Sequence, residues 1–114
     1  MAQPDKSKAM EILSLYAAAW SETQKMLGAA RSGDWDNLIG LEQSRRCQVE
    51  KILQIDKGNV ENREFLTRKS ELIRSIISAD EEIKLLTHKW MDKLKETLGI
   101  IGVDKRLQQA YGHL

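Results

Sequence analysis

The chain has 114 residues, with 18 lysines and arginines against 17 aspartates and glutamates, a formal net charge of +1. That is the length of one domain. The signs are interspersed, so the basic stripe of a nucleic-acid binder is excluded; the nearest approach, Arg45-Arg46, is flanked by Glu42 and Glu50. Seven glycines, one proline and 5% aromatic residues exclude a sheet protein rich in tight turns, and a single cysteine, Cys47, excludes an internal disulfide. No apolar run approaches the ~18 residues of a membrane span. The segment from Met1 to Lys8 is polar with no apolar stretch behind it, so no secretory leader and a cytoplasmic location are expected.

The first helix is predicted from about Lys6 to Arg31, entered through Pro4 and Asp5, residues suited to a first turn. Two adjacent stripes, Leu13, Ala17, Trp20, Leu27 and Ile12, Tyr16, Ala19, Met26, Ala30, give it the wide apolar face of a bundle helix. Ser32-Gly33-Asp34 supplies a C-terminal glycine followed at once by a capping acid, which predicts a helical hairpin.

The second helix is predicted over Trp35 to Ile55. It is apolar at both ends (Trp35, Leu38, Ile39, Leu41; then Val49, Ile52, Leu53, Ile55) and polar between, where Glu42 and Arg46 are spaced to pair. Asp56-Lys57-Gly58-Asn59 turns the chain, and Asn62 is placed to start a third helix ending at Gly99. From Phe65 to Leu98 no Gly or Pro intervenes, and Phe65, Leu72, Ile76, Ile83, Leu86, Trp90, Leu94 and Leu98 recur at helical spacing. The span corresponds to about 51 Å of helix at 1.5 Å per residue, more than the hairpin can cover. Its flank is expected to carry Glu64–Arg68 and Asp80–Lys84 pairs. Val103, Leu107, Ala110 and Tyr111 could line one face of a short fourth helix, too short to persist without docking. The expected architecture is all-α: a single domain over 1–114, an antiparallel three-helix bundle with a short C-terminal helix in segment 100–114.

Motifs for catalysis are missing. His88, His113 and Cys47 are scattered without metal-ligand spacing, and Gly99-Ile100-Ile101-Gly102 lacks the third glycine and preceding strand of a nucleotide loop. Neither metal nor organic cofactor is expected. Asp80-Glu81-Glu82 fan out around a helix and do not converge, but Asp80 falls on the apolar seam, where a polar layer with Arg45 or Arg46 would set helix register. A helical chorismate mutase would need arginines and a lysine converging on a dianion from a long first helix; here the first helix offers only Lys6, Lys8, Lys25 and Arg31, and the third is longest. Trp20 and Trp35 are expected beneath the hairpin, with Trp90 at the far end of the third helix.

Three segments together resemble the FliT family of flagellar export chaperones. Asp34-Trp35-Asp36-Asn37-Leu38-Ile39 with Glu42 is similar to the family's W-x-x-L-I…E opening of the second helix. Ile76-Ile77-Ser78-Ala79-Asp80-Glu81-Glu82-Ile83-Lys84-Leu85-Leu86, leading to Met91-Asp92-Lys93-Leu94, is similar to I-L-x-x-D/N-x-x-I/V-x-x-L-L…M-x-x-L; Ala110-Tyr111-Gly112 is the third.

The resemblance implies a cytoplasmic, non-enzymatic bundle that binds the C-terminal segment of the filament-cap protein, FliD, before secretion. It also implies contacts with the export ATPase complex, in some members with the master activator of flagellar transcription, and a C-terminal helix that covers the binding surface. On the apolar seam, Ile76, Ile83, Leu86, Trp90 and Leu94 are expected to line a helix-binding groove, with Val103, Leu107 and Tyr111 as its lid. The alternative is a structural helical homodimer or adaptor whose spare seam is closed by a second copy.

Overall fold

The computed structural model describes residues 4–98, with side chains from residue 7 onward. The expected fourth helix and lid segment 100–114, with Val103, Leu107 and Tyr111, lie outside the described residues. Within them the fold is three helices: α1 (Pro4–Ser32), α2 (Trp35–Ile55) and α3 (Arg63–Leu98).

The hairpin forms as its sequence demands. Gly33 adopts φ 74°, and the Gly33 and Asp34 amides donate to the Ala30 and Ala29 carbonyls at 3.3 and 2.8 Å, a Schellman closure. Asp34 then caps α2, its Oδ1 accepting from the Asn37 amide at 3.4 Å. At the opposite end Asp56 closes α2, with its amide donating to the Ile52 carbonyl at 2.7 Å and its Oδ1 accepting from the Gly58 amide at 3.1 Å. Asn62 Oδ1 accepts from the Phe65 amide at 3.0 Å and starts α3, the cap its sequence position implies.

The three helices do not share contact evenly. Both α2 and α3 pack along α1, whereas α2 and α3 approach each other at few points. Alpha-one is therefore the spine, and the path runs up, down, up.

Two apolar cores flank the middle. The upper one joins Met26, Ala29, Ala30, Leu38 and Ile83; the lower joins Ala9, Ile12, Val60 and Phe65. Apolar ends and a polar middle in α2 thus become two cores with a polar layer between them. In that layer Arg45 Nη1 donates to Thr23 Oγ1 at 3.0 Å and to Asp80 Oδ1 at 2.6 Å, tying all three helices at one point. The register-setting pair expected of Asp80 is formed with Arg45.

Three details differ from the sequence expectation. The buried line of α3 runs through Phe65, Leu72, Ala79, Ile83, Thr87 and Met91, so the small residue Ala79 and the hydroxyl-bearing Thr87 hold core positions. Thr87 is accommodated because its Oγ1 donates to the Ile83 carbonyl at 2.7 Å. Arg68 pairs with Glu71 rather than Glu64, and Asp80 with Arg45 rather than Lys84. Trp20 lies on the α1–α3 side beside Ser75 and Ser78 rather than beneath the hairpin, and Trp35 stacks on Trp90 with centroids 4.7 Å apart.

Candidate partner-docking site

Below the Arg45–Asp80 contact, α2 and α3 part. Val49, Ile52 and Leu53 on α2 face Ile73, Ile76 and Ile77 on α3 across a slot of about 270 Å³, floored by Tyr16 and Ala19 of α1. Each wall has the three-four spacing of a single helix face. Leu53 is 67% exposed, Ile77 53% and Val49 40%, an arrangement that leaves core-type side chains in water. Among the described residues, three of the seven exposed large hydrophobics line this one slot, which makes it a patch rather than scatter.

Polar contacts bound the slot at both ends. The upper wall is the Arg45–Asp80 pair. Beyond the lower end, Asp56 Oδ2 accepts from the Tyr16 hydroxyl at 2.9 Å and from Lys69 Nζ at 2.5 Å. Lys69 Nζ also lies 5.7 Å from the ring centroids of Tyr16 and Phe65, within cation–π range. Burial opposes ionisation of Asp56, but hydrogen bonds from Lys69, Tyr16 and the Gly58 amide together outweigh it and hold the carboxyl below its ordinary value. Tyr16 is pushed up to about 12, by burial first and then by its bond to the Asp56 carboxylate.

A second hollow of about 410 Å³ lies between α1 and α3, lined by Trp20, Leu27, Arg74, Ser75, Ser78, Ala79 and Glu82. Its α3 wall is serine, alanine and charge. Arg31 crosses its upper rim to Glu82 in a bidentate contact at 2.7 and 3.0 Å, which lowers the Glu82 carboxyl below its usual range. It offers no comparable apolar seat.

The five groove residues expected from the sequence are distributed over the molecule. Ile76 lines the slot. Ile83 is fully buried in the upper core, where Leu86 and Trp90 pack half-buried against the same cluster. Leu94 is half-buried beyond the Trp90 stack. Sequence reasoning missed Val49, Leu53, Ile73 and Ile77. The usable signal was the lower apolar cluster of α2, which faces α3 across a gap.

These features define a small helical-bundle protein whose distinctive exposed chemistry is an apolar slot. Among the described residues no three His, Cys, Asp or Glu side chains group to hold a metal, and no helix is long and apolar enough to cross a membrane.

The family model described as flagellar protein FliT matches residues 13–113, and the chain belongs to that family. It is 25% identical over 103 residues to the flagellar protein FliT of Photorhabdus laumondii, covering 90% of this chain and 82% of the relative. Against that of Cronobacter sakazakii the identity is 28% over 102 residues, covering 90% and 84%. Against that of Citrobacter koseri it is 30% over 92 residues, covering 78% and 73%. No solved structure matches.

Proposed function

We propose that this flagellar protein is a cytoplasmic type III export chaperone, with no enzymatic activity, that holds the C-terminal segment of the filament-cap protein FliD before secretion. The observation that carries this reading is the slot: aliphatic side chains at helical spacing, left exposed between two helices that both lean on a third. Such a surface suits an amphipathic helix laid into a groove. Membership of a flagellar family supports a client among the exported flagellar proteins. Contacts with the export ATPase complex and with the master transcription activator are further parts of the proposal.

The proposed client surface extends from the slot, through Ile76, toward Leu86, Trp90 and Leu94 on the upper part of α3; Ile83 supports it from beneath. Val103, Leu107 and Tyr111 are proposed to cover the upper part in the free chain.

Calorimetry with the cognate cap-protein C-terminal segment tests the proposal. Saturable one-to-one binding that falls at least tenfold in Leu53→Asp and Ile77→Asp is expected, since both side chains are exposed and their replacement spares the core. Unchanged binding in both variants removes the slot from the site. Persistence of a dimer at low micromolar concentration, broken by the same two substitutions, replaces the chaperone reading with the homodimer.

A further inference from the structure

The two ends of the slot are chemically unequal. At the upper end, Asp80 Oδ1 is taken by Arg45 at 2.6 Å, while Oδ2 accepts no hydrogen bond among the described residues. The Asp80 side chain is 29% exposed and lines the slot itself. At the lower end the carboxylate is spent. Asp56 Oδ2 serves Tyr16 and Lys69, Oδ1 serves the Gly58 amide, and the side chain is 6% exposed. Arg45 is the lesser presence at the upper end: its Nη1 is shared between Thr23 and Asp80, and its side chain is 13% exposed against 29% for Asp80, so the carboxylate faces the slot more openly than the guanidinium does. The slot therefore offers one spare anionic acceptor, at one end only.

The separation of the ends sets a length. Eleven residues of α3 lead from Lys69 to Asp80, about 16 Å along the axis, or three helical turns.

We infer that the slot takes one amphipathic helix of about three turns and fixes its direction, with the N-terminus of the docked helix against Asp80 Oδ2. This rests on the docking reading above and adds the polarity and length of the client. The first turn of a helix carries unpaired N–H groups and the positive end of the dipole. A carboxylate at that point satisfies both. A helix entering in reverse sets its unpaired carbonyls and negative end against Asp80, the more exposed member of the Arg45–Asp80 pair. The docked helix accordingly runs parallel to α2 and antiparallel to α3.

The probe is a lactam-bridged helix of about eleven residues with leucines at i, i+4 and i+7, made with a free, acetylated or succinylated N-terminus and an amidated or free C-terminus. Fluorescence anisotropy is expected to rank the free amine above acetyl above succinyl, with about fivefold between the extremes. The C-terminal group has little effect. In Asp80→Asn the ranking collapses while the leucine-dependent binding remains, which a purely structural role for Asp80 does not produce.

Should Asp80→Asn fail to fold, a nitroxide on the peptide settles direction on the native chain. Placed at the N-terminus, it should broaden the amide signals of Ser44 and Ala79 and spare those of Lys57 and Leu66. Binding without a terminal preference, or broadening at the lower end, overturns the inference and leaves the docking reading standing. Absence of binding by every peptide, with the cap-protein segment equally inert, overturns the docking reading itself.

Discussion

Above the polar layer and below it, the same two helices meet on different terms. At the top, α2 and α3 close over Leu38 and Ile83, and the Trp35 and Trp90 rings bridge what remains of the distance. Below the layer, Val49, Leu53, Ile73 and Ile77 face one another just as apolar, yet remain open to water. Hydrophobicity does not distinguish the two regions. Side-chain size does: the upper region adds two stacked indole rings to its aliphatic residues, whereas the facing walls of the slot carry valine, leucine and isoleucine alone. An unfilled seat results from placing small groups where a bundle without a partner needs large ones.

The sharpest way to break this comparison is to truncate one residue in each region. Ile83→Ala should cost about 2–5 kcal/mol of stability, because a fully buried side chain is replaced by a cavity. Leu53→Ala should stay within about 0.5 kcal/mol, since that side chain is already in water. Urea denaturation measures both. Equal losses would show that the slot is closed in solution. Client affinity should fall for Leu53→Ala.

The layer between the regions gives the next largest effect. Asp80→Ala leaves Arg45, 13% exposed at its side chain, without its counter-charge and should cost about 1–2 kcal/mol. The double variant Arg45→Met, Asp80→Leu should recover most of that loss, because replacing both members of a semi-buried pair removes the stranded charge. If the double variant is instead worse than the single, the pair is a net stabiliser rather than a spacer.

The lower clamp is read by pH. Asp56 titrates below its ordinary 3.8 in the fold, so its contribution is present above that pH and lost as pH falls through the folded value. Tyr16 is the mirror case: raised from 10.0 to about 12, its contribution is present below pH 10.0 and lost as pH rises through about 12. Urea midpoints of the native chain should therefore fall at both extremes. Asp56→Asn flattens the acid limb, and Tyr16→Phe, costing about 1 kcal/mol at neutral pH, flattens the alkaline one. A native-like alkaline limb in Tyr16→Phe would show that another group governs it.

Local punctuation was fully legible in the sequence. Gly33, Asp34 and Asn62 act through their own backbone neighbours, so their residue types alone predict caps that the structure contains. The polar layer was legible too, because a carboxylate on an apolar seam needs a cation and α2 offers one at the same height. The α3 core line was only half legible. Ala79 and Thr87 pass unnoticed in a search for large apolar residues, yet closeness to α1 makes Ala79 fit and an internal hydrogen bond makes Thr87 fit. The slot was the least legible feature. Whether Leu53 and Ile77 meet or stand apart depends on the spacing of two helices around a third, and no single-helix pattern carries that distance.

The smallest expected effect concerns the segment after Leu98. If Val103, Leu107 and Tyr111 cover Leu86, Trp90 and Leu94, the closed form competes with the client only over the upper part of its surface, and the slot itself stays accessible. Apparent affinity then falls by the open fraction of that upper part alone. Removing residues 100–114 should tighten client binding by about two- to threefold, with the urea midpoint unchanged. The same deletion should leave the binding of a short peptide confined to the slot unaltered. Unchanged or weaker client binding by a folded truncation would remove the lid; tightening of the short peptide as well would place the cover over the slot and erase the difference between the two regions.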